Sequence, residues 1–133
     1  MRLLVVEDEP FIALDLETLA AAAGHEVIGV ADTLNEAVDL ACSGIPEAAL
    51  VDLNLRDGMT GAEISRRLSE NGVAVGFITG NVEEIPADFA GALAVVEKPF
   101  TPAGVQEMLD LLNSSLSGGP APERRFARMA PTR

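Results

Sequence analysis

Cysteine is almost missing from this chain: Cys42 stands alone among 133 residues. An internal disulfide is excluded, and the usage agrees with a reducing compartment, the cytoplasm. Long apolar runs are missing too. None approaches the roughly 20 residues that a membrane span requires, so no membrane association is expected. The opening run Leu3-Leu4-Val5-Val6 is too short for the core of a secretory signal. Bases are scarce, nine against 21 acids, for a net charge of -12. Residues 1–113 carry 20 acids and 5 bases, whereas residues 114–133 carry 1 acid and 4 bases. An acidic body argues against direct DNA binding, which wants a clustered basic face. It suits a metal site and protein partners, or serves solubility alone.

What is present is a core. Hydrophobic residues make up 48% of the chain, enough for one domain that packs without staples. Five short apolar runs read as strands: Arg2–Val6, His25–Ala31, Ala48–Val51, Val73–Ile78 and Ala92–Val96. Helical patterns follow the first three and the last. Pro10 suits the first helical position, Ile12, Leu16, Leu19, Ala20 and Ala23 form a stripe, and Gly24 stops it. Thr33 to Glu36 and Thr60 to Glu63 each have capping-box spacing. Thr101 caps a last helix with Pro102 at its start and Val105, Met108, Leu109 and Leu112 inward. After strand four only a weak helix over Val82–Ile85 is expected, because Pro86 cuts it short. Cys42 reads as a small core or near-core residue, and His25, at the start of strand two, as a surface residue. Strands alternating with helices imply an α/β fold, a five-stranded parallel sheet with helices on both faces. The flavodoxin-like (βα)5 order 2-1-3-4-5 is one of two common solutions.

In such a sheet, ligands sit beyond the carboxyl ends of the strands. Asp52 ends the most buried strand. Glu7 and Asp8 follow strand one, Thr79 ends strand four, and Lys98 follows strand five. In the order 2-1-3-4-5 these groups share one rim. The acids after strand one have a plainer reading as a helix cap facing the dipole. Three carboxylates about 5 Å apart would repel by roughly 3 kcal/mol per pair at an effective dielectric of 20, so a cation is needed. Hard oxygen ligands without His or Cys select Mg2+. Lys98 adds a second positive group, and Thr79 a neutral hydroxyl for an anion. This is equipment for moving a phosphoryl group onto a carboxylate, a transfer that needs positioning and charge neutralisation above all.

Taken in order, Val-Val-Glu7-Asp8-Glu9, Val-Asp52-Leu-Asn54, Thr79-Gly80 and Lys98-Pro99-Phe100 resemble the receiver domain of two-component response regulators over residues 2–113. The resemblance implies that Asp52 is the phosphoacceptor. It implies that Asp8 ligates Mg2+ directly, Glu7 through water, and Asn54 by its backbone carbonyl. Thr79 and Lys98 would engage the phosphoryl group, and Lys98-Pro99 would be cis. The implied partners are a histidine kinase or histidine phosphotransfer protein upstream, and a protein bound to the strand-four to helix-five face downstream.

The chain departs from the family pattern at Val95, where an aromatic switch residue is usual, and at Arg56, where proline is common. The end of strand four, Gly76-Phe77-Ile78-Thr79-Gly80-Asn81, is similar to the FATGUY branch of single-domain receivers. Residues 114–133, rich in Ser, Gly, Pro and Arg, read as a flexible tail or an Arg-rich docking segment. No output domain is expected beyond it, so output would be a protein contact or onward phosphorelay. Two other functions fit parts of the pattern. One is a degenerate receiver that binds a partner without phosphorylation. The other is a Mg2+-dependent phosphatase, against which Asn54 stands where such enzymes carry an acid.

Overall fold

The computed structural model describes residues 1–117. Five strands, β1 (Arg2–Val6), β2 (Glu26–Ala31), β3 (Ala48–Val51), β4 (Ala74–Thr79) and β5 (Ala94–Glu97), form one parallel sheet in the order β2-β1-β3-β4-β5. Four helices complete the fold: α1 (Pro10–Ala22), α2 (Leu34–Gly44), α3 (Gly61–Glu70) and α4 (Pro102–Leu116). Among the described residues, no helix is long and apolar enough to cross a membrane. The flavodoxin-like order expected from the sequence is the order observed.

The period-two geometry of strands sorts the core into two layers. Leu4, Val6, Ala49, Val51, Val75 and Phe77 point to one face and pack with Ile64 and Leu68 of α3. Leu3, Val5, Leu50 and Ile78 point to the other and pack with Leu16 of α1 and Val105, Met108, Leu109 and Leu112 of α4. Each large side chain withdrawn from water in this way contributes about 1.5–3 kcal/mol before the cost of ordering it. All residues of β3 and β4 are buried, which explains why their sequences read as unbroken apolar runs.

Several expectations are corrected. The weak helix after β4 is replaced by two 3-10 turns, Val82–Glu84 and Phe89–Gly91, so the described residues hold four α-helices and the expected last one is α4. Pro86 lies between the turns, where it cannot donate a helical hydrogen bond. Arg66 of α3 holds Asp88 at 2.6 Å, and the buried Ser65 hydroxyl donates to the Ala90 carbonyl at 2.9 Å. Thr60 does not cap α3 with its side chain. Its hydroxyl donates instead to Asp57 Oδ1 at 2.7 Å, and Glu63 pairs with Arg67 one turn on. Thr33 and Thr101 do cap, accepting from the amides of Glu36 and Gly104. Cys42 is exposed. Gly44 stays helical, and the left-handed residue that ends α2 is Ile45. Ser114–Leu116, assigned to the tail from composition, continue α4. The rest of the expected tail, residues 118–133, lies outside the described residues.

Candidate functional site

The pleat that buries Val6 and Val51 carries the chain out of the sheet at the same level in β1 and β3, since the two residues are register partners. Glu7 and Asp52 therefore emerge side by side, tied by the Asp52 N–H to the Val6 carbonyl at 3.0 Å. Two strands away, Thr79 pairs with Glu97, and the Lys98 N–H donates to the Thr79 carbonyl at 2.9 Å. Both register relations follow from hydrogen bonding of the apolar strands, so the core fixes the rim.

On that rim, Glu7, Asp8 and Asp52 each offer a carboxylate oxygen, all within 4.8 Å of one another. Lys98 Nζ lies 2.8 Å from Asp52 Oδ2 and 2.8 Å from Glu7 Oε1. Asp8 is exposed, while Glu7 is only 3% and Asp52 7% exposed. The cluster is thus a buried pair of acids with an open side at Asp8. Burial pushes the Glu7 carboxyl up to about 7 and the Asp52 charge adds to it, against the lowering effect of the hydrogen bonds from Lys98 and the Glu9 amide. Burial also opposes the Lys98 charge. Its bonds to Asp52 and Glu7 and their charges outweigh that and hold it above the usual lysine range.

Thr79 is fully buried at the end of β4, and its hydroxyl oxygen accepts from the Asn81 N–H at 3.1 Å. Asn54 is half-buried two residues beyond Asp52. The structure thus brings Glu7, Asp8, Asp52 and Lys98 into one cluster, with Thr79 joined through the Lys98 backbone. Lys98-Pro99 is cis. The donor set fits a small hard dication: oxygen ligands only, and more negative than the one lysine can balance.

Three supporting features have no signature in residue type. The Glu9 N–H turns back onto Glu7 Oε2 at 3.1 Å. Gly61 sits beneath the Asp52 backbone, where a Cβ would run into the Asp52 carbonyl oxygen and come within 2.6 Å of Leu53 Cα. The loop from Asp52 to α3 is pinned outward by Asp57, which accepts from the Leu34 N–H at 3.0 Å, and by Arg56, 3.3 Å from Asp32. Of these, Gly61 alone could have been noticed, as a glycine opening a helix where a better helix former costs less.

The chain is similar to known proteins. The family model for the response regulator receiver domain matches residues 3–110. The phyllosphere-induced regulator PhyR of Methylorubrum extorquens is 40% identical over 111 residues, 81% of this chain and 42% of that protein. The solution structure of the PhyR receiver domain from Erythrobacter litoralis superposes with a TM-score of 0.78 at 30% identity, covering 84% of this chain and 88% of that one. The anti-anti-sigma factor PhyR of Bartonella quintana superposes at 0.69 with 31% identity, covering 87% of this chain and 46% of that one. The chain thus spans about half the length of full-length relatives it matches. With the sheet order, the acid cluster and the family model in agreement, the chain belongs to the response regulator receiver domain family.

Proposed function

We propose that this receiver accepts a phosphoryl group on Asp52 from a histidine kinase or a histidine phosphotransfer protein. The observation that carries the reading is Lys98 bridging Asp52 and Glu7 at 2.8 Å each, beside an open Asp8. Mg2+ would be held by Asp8, Asp52, the Asn54 backbone carbonyl and, through water, Glu7. When bound, it neutralises charge shared between the acids and the phosphoryl oxygens.

The chain's own groups do the rest. Lys98 fixes Asp52 Oδ2 and so sets the plane of the carboxylate. Near-complete burial of Asp52 limits water at the nucleophile. An Asp52 oxygen forms a bond to phosphorus while the bond from phosphorus to the donor's histidine nitrogen breaks, and the electron pair stays on that nitrogen. No general base is required, because the nucleophile is used in its ionised form. The added charge of about -1.5 to -2 attracts the Lys98 ammonium and the Thr79 hydroxyl. Thr79 then exchanges its Asn81 contact for a phosphoryl oxygen, and the segment from β4 to α4 changes its bias.

Output is a protein contact on the β4 to α4 face, or onward phosphorelay. The Bartonella relative is an anti-anti-sigma factor, which supports the first route. The test is uptake of acid-labile phosphate from a small phosphodonor, with and without Mg2+. Wild-type protein should take up phosphate and Asp52→Asn should not; undiminished uptake by the variant removes Asp52 from the role. Partner capture with beryllofluoride then separates this reading from a phosphorylation-independent binding module, which Val95 favours because it gives β5 no aromatic switch. Equal capture with and without beryllofluoride would establish that alternative.

A further inference from the structure

At the end of the sheet opposite Asp52, an apolar groove of about 490 Å³ opens between α2 and α3. Val38, Ala41, Cys42, Ile45, Leu68 and Val73 form its walls, and Arg67, Glu70 and Asn71 also line it. Pro46 and Val73 also line it, and these residues lead into β3 and β4, which places the groove at the amino ends of the strands. One wall is built at a cost. Ile45 adopts φ 47°, ψ 67°, and is 68% exposed. A β-branched residue in the left-handed region is a conformational outlier, and here Gly44, which could have taken that position freely, lies one residue earlier in the helix. Arg2 donates from Nε and Nη2 to the Ile45 carbonyl at 3.1 and 2.8 Å and fixes this geometry. Strained backbone held by surrounding contacts, presenting an apolar side chain to water, is a feature of binding surfaces.

The same end of the sheet is where the chain leaves. α4 starts just beyond Lys98 on the Asp52 rim and runs 15 residues back, about 22 Å at 1.5 Å per residue. Leu109 and Leu112 of α4 belong to the same buried cluster as Leu3 and Ala48 near the amino ends of β1 and β3. The segment that continues from Ser117 is Gly118 to Arg133, with Phe126 and Met129 among Arg124, Arg125 and Arg128. Eight residues lie between Ser117 and Phe126, so the nine Cα steps reach up to about 30 Å. Its charge of +3 faces a body of -15, counted over residues 114–133 and 1–113.

We propose that the α2–α3 groove is the docking site for the chain's own segment 123–129, with Phe126 and Met129 filling the groove and the arginines meeting Glu70 and the acidic body around it. Phe126 and Met129 supply the two large apolar groups of the segment; of the charged residues that line the groove, Glu70 supplies counter-charge, while Arg67 is already paired with Glu63 at 3.1 Å. The site is independent of Asp52 chemistry and lies on the other end of the molecule.

Cys42, the single thiol, lines the groove and is exposed in residues 1–117, so it reports on occupancy. Alkylation by iodoacetamide is followed on the full chain, wild type against Phe126→Ser/Met129→Ser, at low protein concentration. Both substitutions lie beyond Leu112, the last buried core residue among the described residues, and circular dichroism checks that the fold is retained. The double variant should react at least about fivefold faster, as a docked fraction above roughly 80% requires. Arg124→Glu/Arg125→Glu/Arg128→Glu should also react faster, as should wild type at high salt. Equal rates in wild type and the Phe126/Met129 variant overturn the proposal. Protection that grows with protein concentration also overturns it, in favour of a second copy as occupant.

Discussion

Burial of Glu7 makes the metal-free protein respond to pH in a direction opposite to that of most carboxylates. The carboxyl rises from 4.5 to about 7 on folding, chiefly because the folded protein takes it out of water. A shift of that size corresponds to about 3 kcal/mol. Because the folded form disfavours the charged state, stability from this group is fully present below pH 4.5 and is lost as pH rises through about 7. Between about pH 5.5 and about pH 8, roughly 2 kcal/mol of it should go. The assay is urea unfolding in the presence of a chelator across that range, on wild type and on Glu7→Gln. Glutamine keeps the shape and cannot ionise, so the difference between the two proteins isolates Glu7 from the other acids. Wild type should lose about 2 kcal/mol relative to the variant as pH rises. Mg2+ added at about pH 8 should return stability to wild type by mass action. A pH dependence that is the same in both proteins would refute the reasoning, because it would place the titration elsewhere.

Lys98→Met removes the cation between Glu7 and Asp52; metal-free protein near neutral pH should lose about 2–4 kcal/mol, and less in acid, where Glu7 takes a proton, as urea unfolding at two pH values would show. Gly61→Ala places a methyl group against the Asp52 backbone and should cost about 3 kcal/mol. Gly72→Ala, at φ +81° with open space around it, should cost about 1 kcal/mol; similar melting shifts for the two would show that contact with Asp52 is not the cause. Ser65→Ala leaves the Ala90 carbonyl without its buried donor and should cost about 1–2 kcal/mol. Hydrogen exchange should accelerate first around residues 88–92, and uniform acceleration across the sheet would contradict the local role.

The rim was legible because strands and chemistry meet at abrupt boundaries. Val51 to Asp52, Val6 to Glu7 and Ile78 to Thr79 are each a buried apolar residue followed by a polar one, and a parallel sheet puts all such boundaries on one side. The inward stripe of α4 was legible for the same reason: Val105, Met108, Leu109 and Leu112 keep helical spacing and are all buried. Local capping was less so. Thr60 has the spacing of a capping box, but Asp57 competes for its hydroxyl. That competitor comes from a turn whose geometry is set by Gly58 at φ 111° and by the Leu55 and Gly58 backbone bonds. Cys42 was misplaced because helix period alone does not say where a neighbouring helix ends. α3 stops at Glu70, and the space beside Cys42 is left as a groove.

The charge count at the rim explains why these particular residues need one another. Three acids and one lysine sum to -2 when all are ionised, in a cluster where Glu7 and Asp52 are almost out of water. Without metal the protein relieves that charge in the one place where burial is deepest, by holding the Glu7 proton up to about pH 7. A dication would relieve it differently, bringing the sum to zero and releasing the proton, so metal and proton should compete at Glu7. Phosphorylation of Asp52 would restore negative charge on groups that Lys98 already touches and Thr79 adjoins through the backbone. Lys98 is therefore placed to feel every charge state of the rim. Its backbone N–H on the Thr79 carbonyl ties β5 to β4 at the point where the chain turns toward residues 80–91.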